Sequence, residues 1–140
     1  MAHIISTEDM KKVWVNGCFD ILHRGHFELF NYAKSLGEHL TVGIDSDQKI
    51  LRDKGPGRPF NKLEDRVYAL ESLKAIDKVK TFNTREELEN LIQEYSPDFL
   101  VVGSDWKNKE VVGWQYAKKI VYFNRIGEYS TTSILNYNEK

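Results

Sequence analysis

Val13-Trp14-Val15-Asn16-Gly17-Cys18-Phe19-Asp20-Ile21-Leu22-His23-Arg24-Gly25-His26 is the stretch whose reading decides the fold. Its opening Val13 to Val15 is short, apolar and β-prone, and Asn16-Gly17 is a pair that ends a strand. From His26 onward Phe27, Phe30 and Ala33 recur every three residues until Gly37, which predicts an amphipathic helix with a glycine stop. Strand, loop, helix is therefore the opening unit. Leu40 to Ile44 makes a second apolar strand, and Asp45 to Phe60, polar and rich in Gly, Pro, Lys and Arg, is expected to be a basic loop. Leu63, Val67, Leu70 and Leu73 mark a helical stripe ahead of a short strand centred on Val79. Thr84 with Glu87 forms a capping-box signature before Leu88, Leu91 and Ile92, and Pro97 follows that helix.

Phe99 to Val102 is apolar without interruption, as suits a parallel strand covered on both faces, and Ile120 to Phe123 supplies one more strand. Strands alternating with helices imply an α/β, Rossmann-like three-layer sandwich around a mostly parallel sheet of about five strands. In such sheets ligands collect at the carboxyl ends of the strands. Ser130-Thr131-Thr132 is suited to cap a short C-terminal helix.

A chain of 140 residues is the usual size of one domain, so residues 1–140 are read as a single unit without repeats or linkers. With 20 Lys and Arg against 21 Asp and Glu there is no global field for nucleic acid or an anionic membrane, and any phosphate binding must be local. Cys18 is the single cysteine, so no internal disulfide can form. No apolar run approaches a membrane span, and the first dozen residues lack a signal-peptide core; a reducing cytoplasm is the expected setting.

The loop after the first strand matches neither G-x-G-x-x-G nor G-x-x-x-x-G-K-[ST]. What it offers is His23 and His26 at a helix start, with Gly25 between them removing side-chain bulk where a ligand would approach. A helix N-terminus presents unpaired N–H groups and positive potential, and two imidazoles added there make an anion site for which phosphate is the natural guest. Two histidines that merely cap a helix are the bland alternative. Neither is expected to be needed for the core.

These residues resemble the H-x-G-H signature of the nucleotidyltransferase superfamily, which includes the cytidylyltransferases, and Gly17-Cys18-Phe19-Asp20 resembles the G-x-F-D that opens it. Arg125-Ile126-Gly127-Glu128-Tyr129-Ser130-Thr131-Thr132 is similar to the R-T-E-G-x-S-T-T ending of small cytidylyltransferases, with an altered middle. Lys54-Gly55-Pro56-Gly57-Arg58-Pro59-Phe60-Asn61 and the helix start up to Arg66 resemble the lysine loop of ADP-heptose synthase adenylyltransferase domains. Gly103-Ser104-Asp105-Trp106 resembles the G-x-D-[WY] element shared by those domains and by glycerol-3-phosphate cytidylyltransferases.

The resemblance implies transfer of a nucleoside monophosphate from a triphosphate to a phosphorylated polyol or sugar, releasing pyrophosphate. Cytidylyl transfer to an acceptor such as glycerol 3-phosphate is placed first, and adenylyl transfer to a heptose 1-phosphate second. It implies catalytic roles for His23, His26, Lys54 and Arg125, and nucleotide or substrate contacts for Gly17, Cys18, Phe19, Asp20, Gly25, Arg66, Asp105, Ser130 and Thr131. Mg²⁺ is expected to be held by substrate phosphates, since no dedicated metal motif is present, and a homodimer is implied. From the residues alone, Lys54 and Arg58 read as a solvated loop unless the histidine site lies beside them, and Arg66 can equally pair with Glu64 or Asp65. Asp105 can cap a turn or meet a ribose or a metal, and Cys18 is a small residue packed beneath the loop rather than a nucleophile. Trp106, Trp114 and Tyr116 read as core or subunit contacts rather than a base-stacking platform. Two other classes compete: a non-catalytic nucleotide-binding module, which needs neither histidine, and a flavodoxin-like domain, which needs a flavin loop or an acidic cluster.

Overall fold

Side chains alternate along the first strand, β1 (Lys12–Gly17), and both directions lead into core. Val13 and Val15 join one apolar cluster with Phe30, Ala33, Leu70 and Val101, whereas Trp14 joins a second with Phe82, Leu88, Ile92 and Leu100. A strand buried on both faces must lie in the middle layer of three. The computed structural model describes residues 10–124, and in it five strands form one all-parallel sheet in the order β3-β2-β1-β4-β5. The other strands are β2 (His39–Asp45), β3 (Lys78–Phe82), β4 (Phe99–Gly103) and β5 (Lys119–Phe123). The α/β sandwich expected from the sequence is present, with each strand extended by a residue or two beyond its apolar run.

The helices are α1 (Arg24–Ser35), α2 (Asp47–Lys54), α3 (Leu63–Glu71) and α4 (Arg85–Tyr95). Buried residues of α1 and α3 belong to the first cluster and those of α4 to the second, so helices cover both faces of the sheet. Thr84 caps α4 by accepting from the Glu87 N–H at 3.1 Å, as its sequence signature predicts, while the Glu87 carboxylate takes the N–H of Asn83 rather than that of Thr84.

Helix α2 corrects the expectation of a continuous loop from Asp45 to Phe60. Ser46 accepts the Lys49 N–H at 3.0 Å, Asp47 places a negative charge in the first turn, and Ile50 is fully buried. One buried apolar residue leaves too faint a stripe to stand out among Lys49, Arg52, Asp53 and Lys54. The connection is thereby shortened to residues 55–62. Gly55 and Gly57 there have φ of 89° and 85°, a left-handed backbone that favours glycine.

Strand order also locates the crevice. From β1 the chain moves outward through β2 and β3, then returns to lay β4 against the other side of β1. The sheet's topological switch point is therefore between β1 and β4, where open α/β sheets bind their ligands. The carboxyl ends at that point are Gly17 and Gly103.

Candidate active site

Both sides of the switch point carry residues singled out from the sequence. Beyond Gly17 the backbone turns sharply, with Phe19 at a positive φ of 44°, unusual for a side chain of this size. Its ring is buried against His26 and Phe30, with ring centroids 5.4 and 5.0 Å away. A Cβ at position 17 would meet that ring at 3.0 Å, so Gly17 and Phe19 act as a pair: the glycine makes room for an aromatic wedge that shapes the loop. Phe19, expected among the nucleotide contacts, has its ring in the core.

His23 is the N-cap of α1, extended at φ −143°, and its Nδ1 accepts the Gly25 N–H at 3.1 Å. In return the His23 N–H donates to Nδ1 of His26 at 3.2 Å. Two imidazoles thus form a reciprocal capping box, a job usually done by Ser and Glu. The rings lie 3.9 Å apart at 30°. Because each Nδ1 accepts a backbone N–H, each neutral ring carries its proton on Nε2, across the ring from the cap. One nitrogen of each ring therefore orders the helix start, and the other is a donor. The first turn of α1 contains no acidic residue, so no carboxylate there cancels its positive end.

On the other side, Asp105 sits in a short 3-10 turn, Ser104–Trp106, at the end of β4. A Cβ on Gly103 would come within 2.6 Å of the Asp105 Oδ1, so the carboxylate folds back over the strand end and needs a glycine beneath it. Trp106 and Trp114 are 42% and 53% exposed, which removes both from the core, whereas Tyr116 packs against the second apolar cluster.

Asp20 is buried, and its carboxylate accepts the N–H groups of Phe60 and Asn61, each at 2.7 Å, while Asn61 Nδ2 donates to the Asp20 carbonyl. The predicted substrate residue is therefore a staple that fastens the 55–62 connection to the histidine loop. Lys54 ends α2 and is exposed, just before this connection.

Arg66 departs furthest from expectation. It neither pairs with Glu64 or Asp65 nor faces solvent; it is 1% exposed. Its Nε donates to the Asn61 carbonyl, its Nη1 to the carbonyls of Cys18 and Asp45, and its Nη2 to Asp47 Oδ1 at 2.6 Å. Four of its five N–H groups are so occupied, which makes it a strut between the ends of β1, β2 and the α2–α3 connection instead of a phosphate ligand. Sequence reasoning missed its partners Asp45, Asp47 and Asn61. A signal existed: position 66 falls on the apolar stripe of Leu63, Val67 and Leu70, where a side chain must be buried. Asp45, beside it, is pushed above the usual carboxylate range by burial, against the pull of Lys49. Cys18 is half-buried, its carbonyl held by Arg66.

Among the described residues no group of three His, Cys, Asp or Glu is placed to hold a metal ion. No helix among them is long and apolar enough to cross a membrane. Arg125, Ser130 and Thr131 lie outside the described residues.

A cytidylyltransferase-like family model matches residues 14–138, nearly the whole chain. The chain belongs to the cytidylyltransferase-like family. It is 46% identical over 125 residues to the bifunctional protein HldE of Helicobacter hepaticus, covering 89% of this chain and 26% of that protein. HldE of Helicobacter pylori strain P12 is 41% identical over 133 residues, with 94% and 29% covered. The chain thus spans about a quarter of the length of these curated relatives. The crystal structure of a lipopolysaccharide core biosynthesis protein from Thermoplasma volcanium superposes with a TM-score of 0.65 at 23% identity, covering 86% of this chain and 99% of that one. A pantothenate synthetase from Thermus thermophilus gives 0.62 at 13% identity, with 89% and 61% covered. These two likenesses support the fold.

Proposed function

We propose that this chain transfers a nucleotidyl group from a nucleoside triphosphate to a phosphorylated sugar and releases pyrophosphate, with ATP and a heptose 1-phosphate as the favoured pair. The observation that carries the reaction class is the imidazole capping box at the switch point, where two Nε2 donors stand at the positive end of α1. The choice of pair is supported by the HldE relatives and by the loop that resembles the ADP-heptose synthase branch. Cytidylyl transfer is the second reading. It rests on Arg125 placed five residues before Ser130, as in small cytidylyltransferases.

An oxygen of the acceptor phosphate attacks the α-phosphorus; the bond from that phosphorus to the bridging oxygen breaks, and the electron pair leaves with pyrophosphate. A phosphate monoester is already anionic near neutral pH, so no strong general base is required. The chain's task is electrostatic: negative charge grows on the departing pyrophosphate, and the Nε2–H groups of His23 and His26 donate to it. Lys54 supplies a mobile point charge from the end of α2, and Arg125 a further cation. Mg²⁺ carried by the triphosphate would neutralise part of the remaining charge. The described carboxylates provide no dedicated cage for it; Asp20 is already occupied by backbone N–H groups. A homodimer is part of the same proposal.

With ATP and CTP at equal concentration over a heptose 1-phosphate and glycerol 3-phosphate, ATP with the sugar phosphate is expected to give the highest kcat/KM. Preference for CTP would reverse the nucleotide while keeping the reaction class, and absence of pyrophosphate release with every pair would leave a binding module. Lys54→Ala is expected to lower kcat/KM at least ten-fold while moving stability by no more than about 0.5 kcal/mol, since the side chain being removed is exposed and has no structural partner among the described residues. Equal losses in stability and rate would count against a catalytic role for Lys54.

A further inference from the structure

Arg58 belongs to a loop that reads from sequence as solvated charge, yet its side chain is only 15% exposed. Its Nε lies 3.4 Å from Asp20 Oδ2, at the long limit of a hydrogen bond. That carboxylate is fully buried and already accepts two backbone N–H groups at 2.7 Å. The staple between the two loops therefore does not depend on Arg58. Its Nη2 is buried and has no hydrogen-bond partner among the described residues, whereas Arg66, in the helix α3 that follows, has four N–H groups matched to acceptors. A guanidinium nitrogen removed from water and left unmatched is costly, so it calls for a specific explanation. The fold has brought a cation against the loop that begins at Gly17 and ends at His23, where the long contact to Asp20 is the one side-chain bond it makes among the described residues.

We propose that Arg58 is a substrate-binding residue whose Nη groups donate to a phosphate oxygen. The planar fork suits a tetrahedral oxyanion, and the buried Asp20 holds one side of the guanidinium so that little side-chain freedom is lost on binding. The nucleotidyl-transfer reading supplies two sources of that oxyanion, the triphosphate and the acceptor's phosphate, and this inference rests on that reading only for those candidates.

Calorimetric titration of the full chain, Arg58→Lys and Arg58→Ala with inorganic tripolyphosphate and, separately, with glucose 1-phosphate tests it. Arg58→Ala is expected to weaken one of the two by ten-fold or more, and the probe that loses affinity names the source. Arg58→Lys is expected to fall between, retaining the charge without the fork. The melting temperature is expected to fall in Arg58→Ala, since the buried Asp20 keeps its backbone donors but loses the guanidinium beside it, and to fall less in Arg58→Lys, so affinities are compared at a temperature where all three proteins are folded. Affinities within two-fold across all three proteins, a drop in melting temperature without change in affinity, or no binding of either probe by the unaltered chain would each overturn the proposal. A chain that binds phosphate through Arg58 but releases no pyrophosphate would instead overturn the proposed reaction and leave Arg58 assigned.

Discussion

His23→Ala and His26→Ala each lower turnover by roughly a hundred- to a thousand-fold, the cost of about 2.7 to 4 kcal/mol for losing one transition-state donor. Both also lose part of the reciprocal cap on α1, so each should be destabilised by about 1 kcal/mol, the usual effect of removing a capping side chain. The sequence offers the cap and the ligand role as alternatives, with neither histidine needed for the core; the structure gives the capping role to both side chains. His23→Asn separates the two roles. Asparagine caps helices well but has no imidazole, so it should return the melting temperature toward that of the unaltered chain and leave turnover low. Steady-state pyrophosphate release and thermal unfolding, measured on the same preparations, provide the comparison. Turnover that returns with the cap would reduce the histidines to structure.

Arg66→Ala produces the largest loss of stability expected anywhere in the described chain. It strands three carbonyls, of Cys18, Asp45 and Asn61, and separates Asp47 from its guanidinium. Breaking a buried pair from one side costs about 3 to 5 kcal/mol, because the groups left behind have lost water as well as their partner. Asp47 is 41% exposed and recovers some hydration, so the lower end of that range applies. At the two to eight degrees per kcal/mol typical of domains near this size, the melting temperature falls by roughly ten degrees. Arg66→Lys restores one donor at most and recovers little, since the site matches a planar fork. A melting temperature unchanged in Arg66→Ala would show that the strut is not needed.

What the sequence determined by itself was the set of features written in local order along the chain. Apolar runs of strand length at Val13, Leu40, Phe99 and Ile120, alternating with helical stripes, were enough to imply a parallel sheet between helical layers. His23 and His26, three residues apart after a strand, were enough to place two imidazoles at a helix start. The signals there are strong because burial on both faces demands uninterrupted apolar residues, and because a cap is a matter of neighbours in sequence. Tertiary structure alone decided which polar groups meet across distance. Asp20 and Asn61 are forty-one residues apart, and Arg66 reaches back forty-eight residues to Cys18. A charged side chain in a sequence reads as solvent-facing, since burying a charge is unfavourable unless several acceptors converge on it. Convergence of that kind is produced by the fold: the parallel pairing of β1 with β2 brings their carboxyl ends together, and carbonyls from three separate segments turn toward one guanidinium. Helix α2 was hidden for a related reason, since its formation rests on one cap and one buried isoleucine, and Ile50 has a core to enter only once the sheet is assembled.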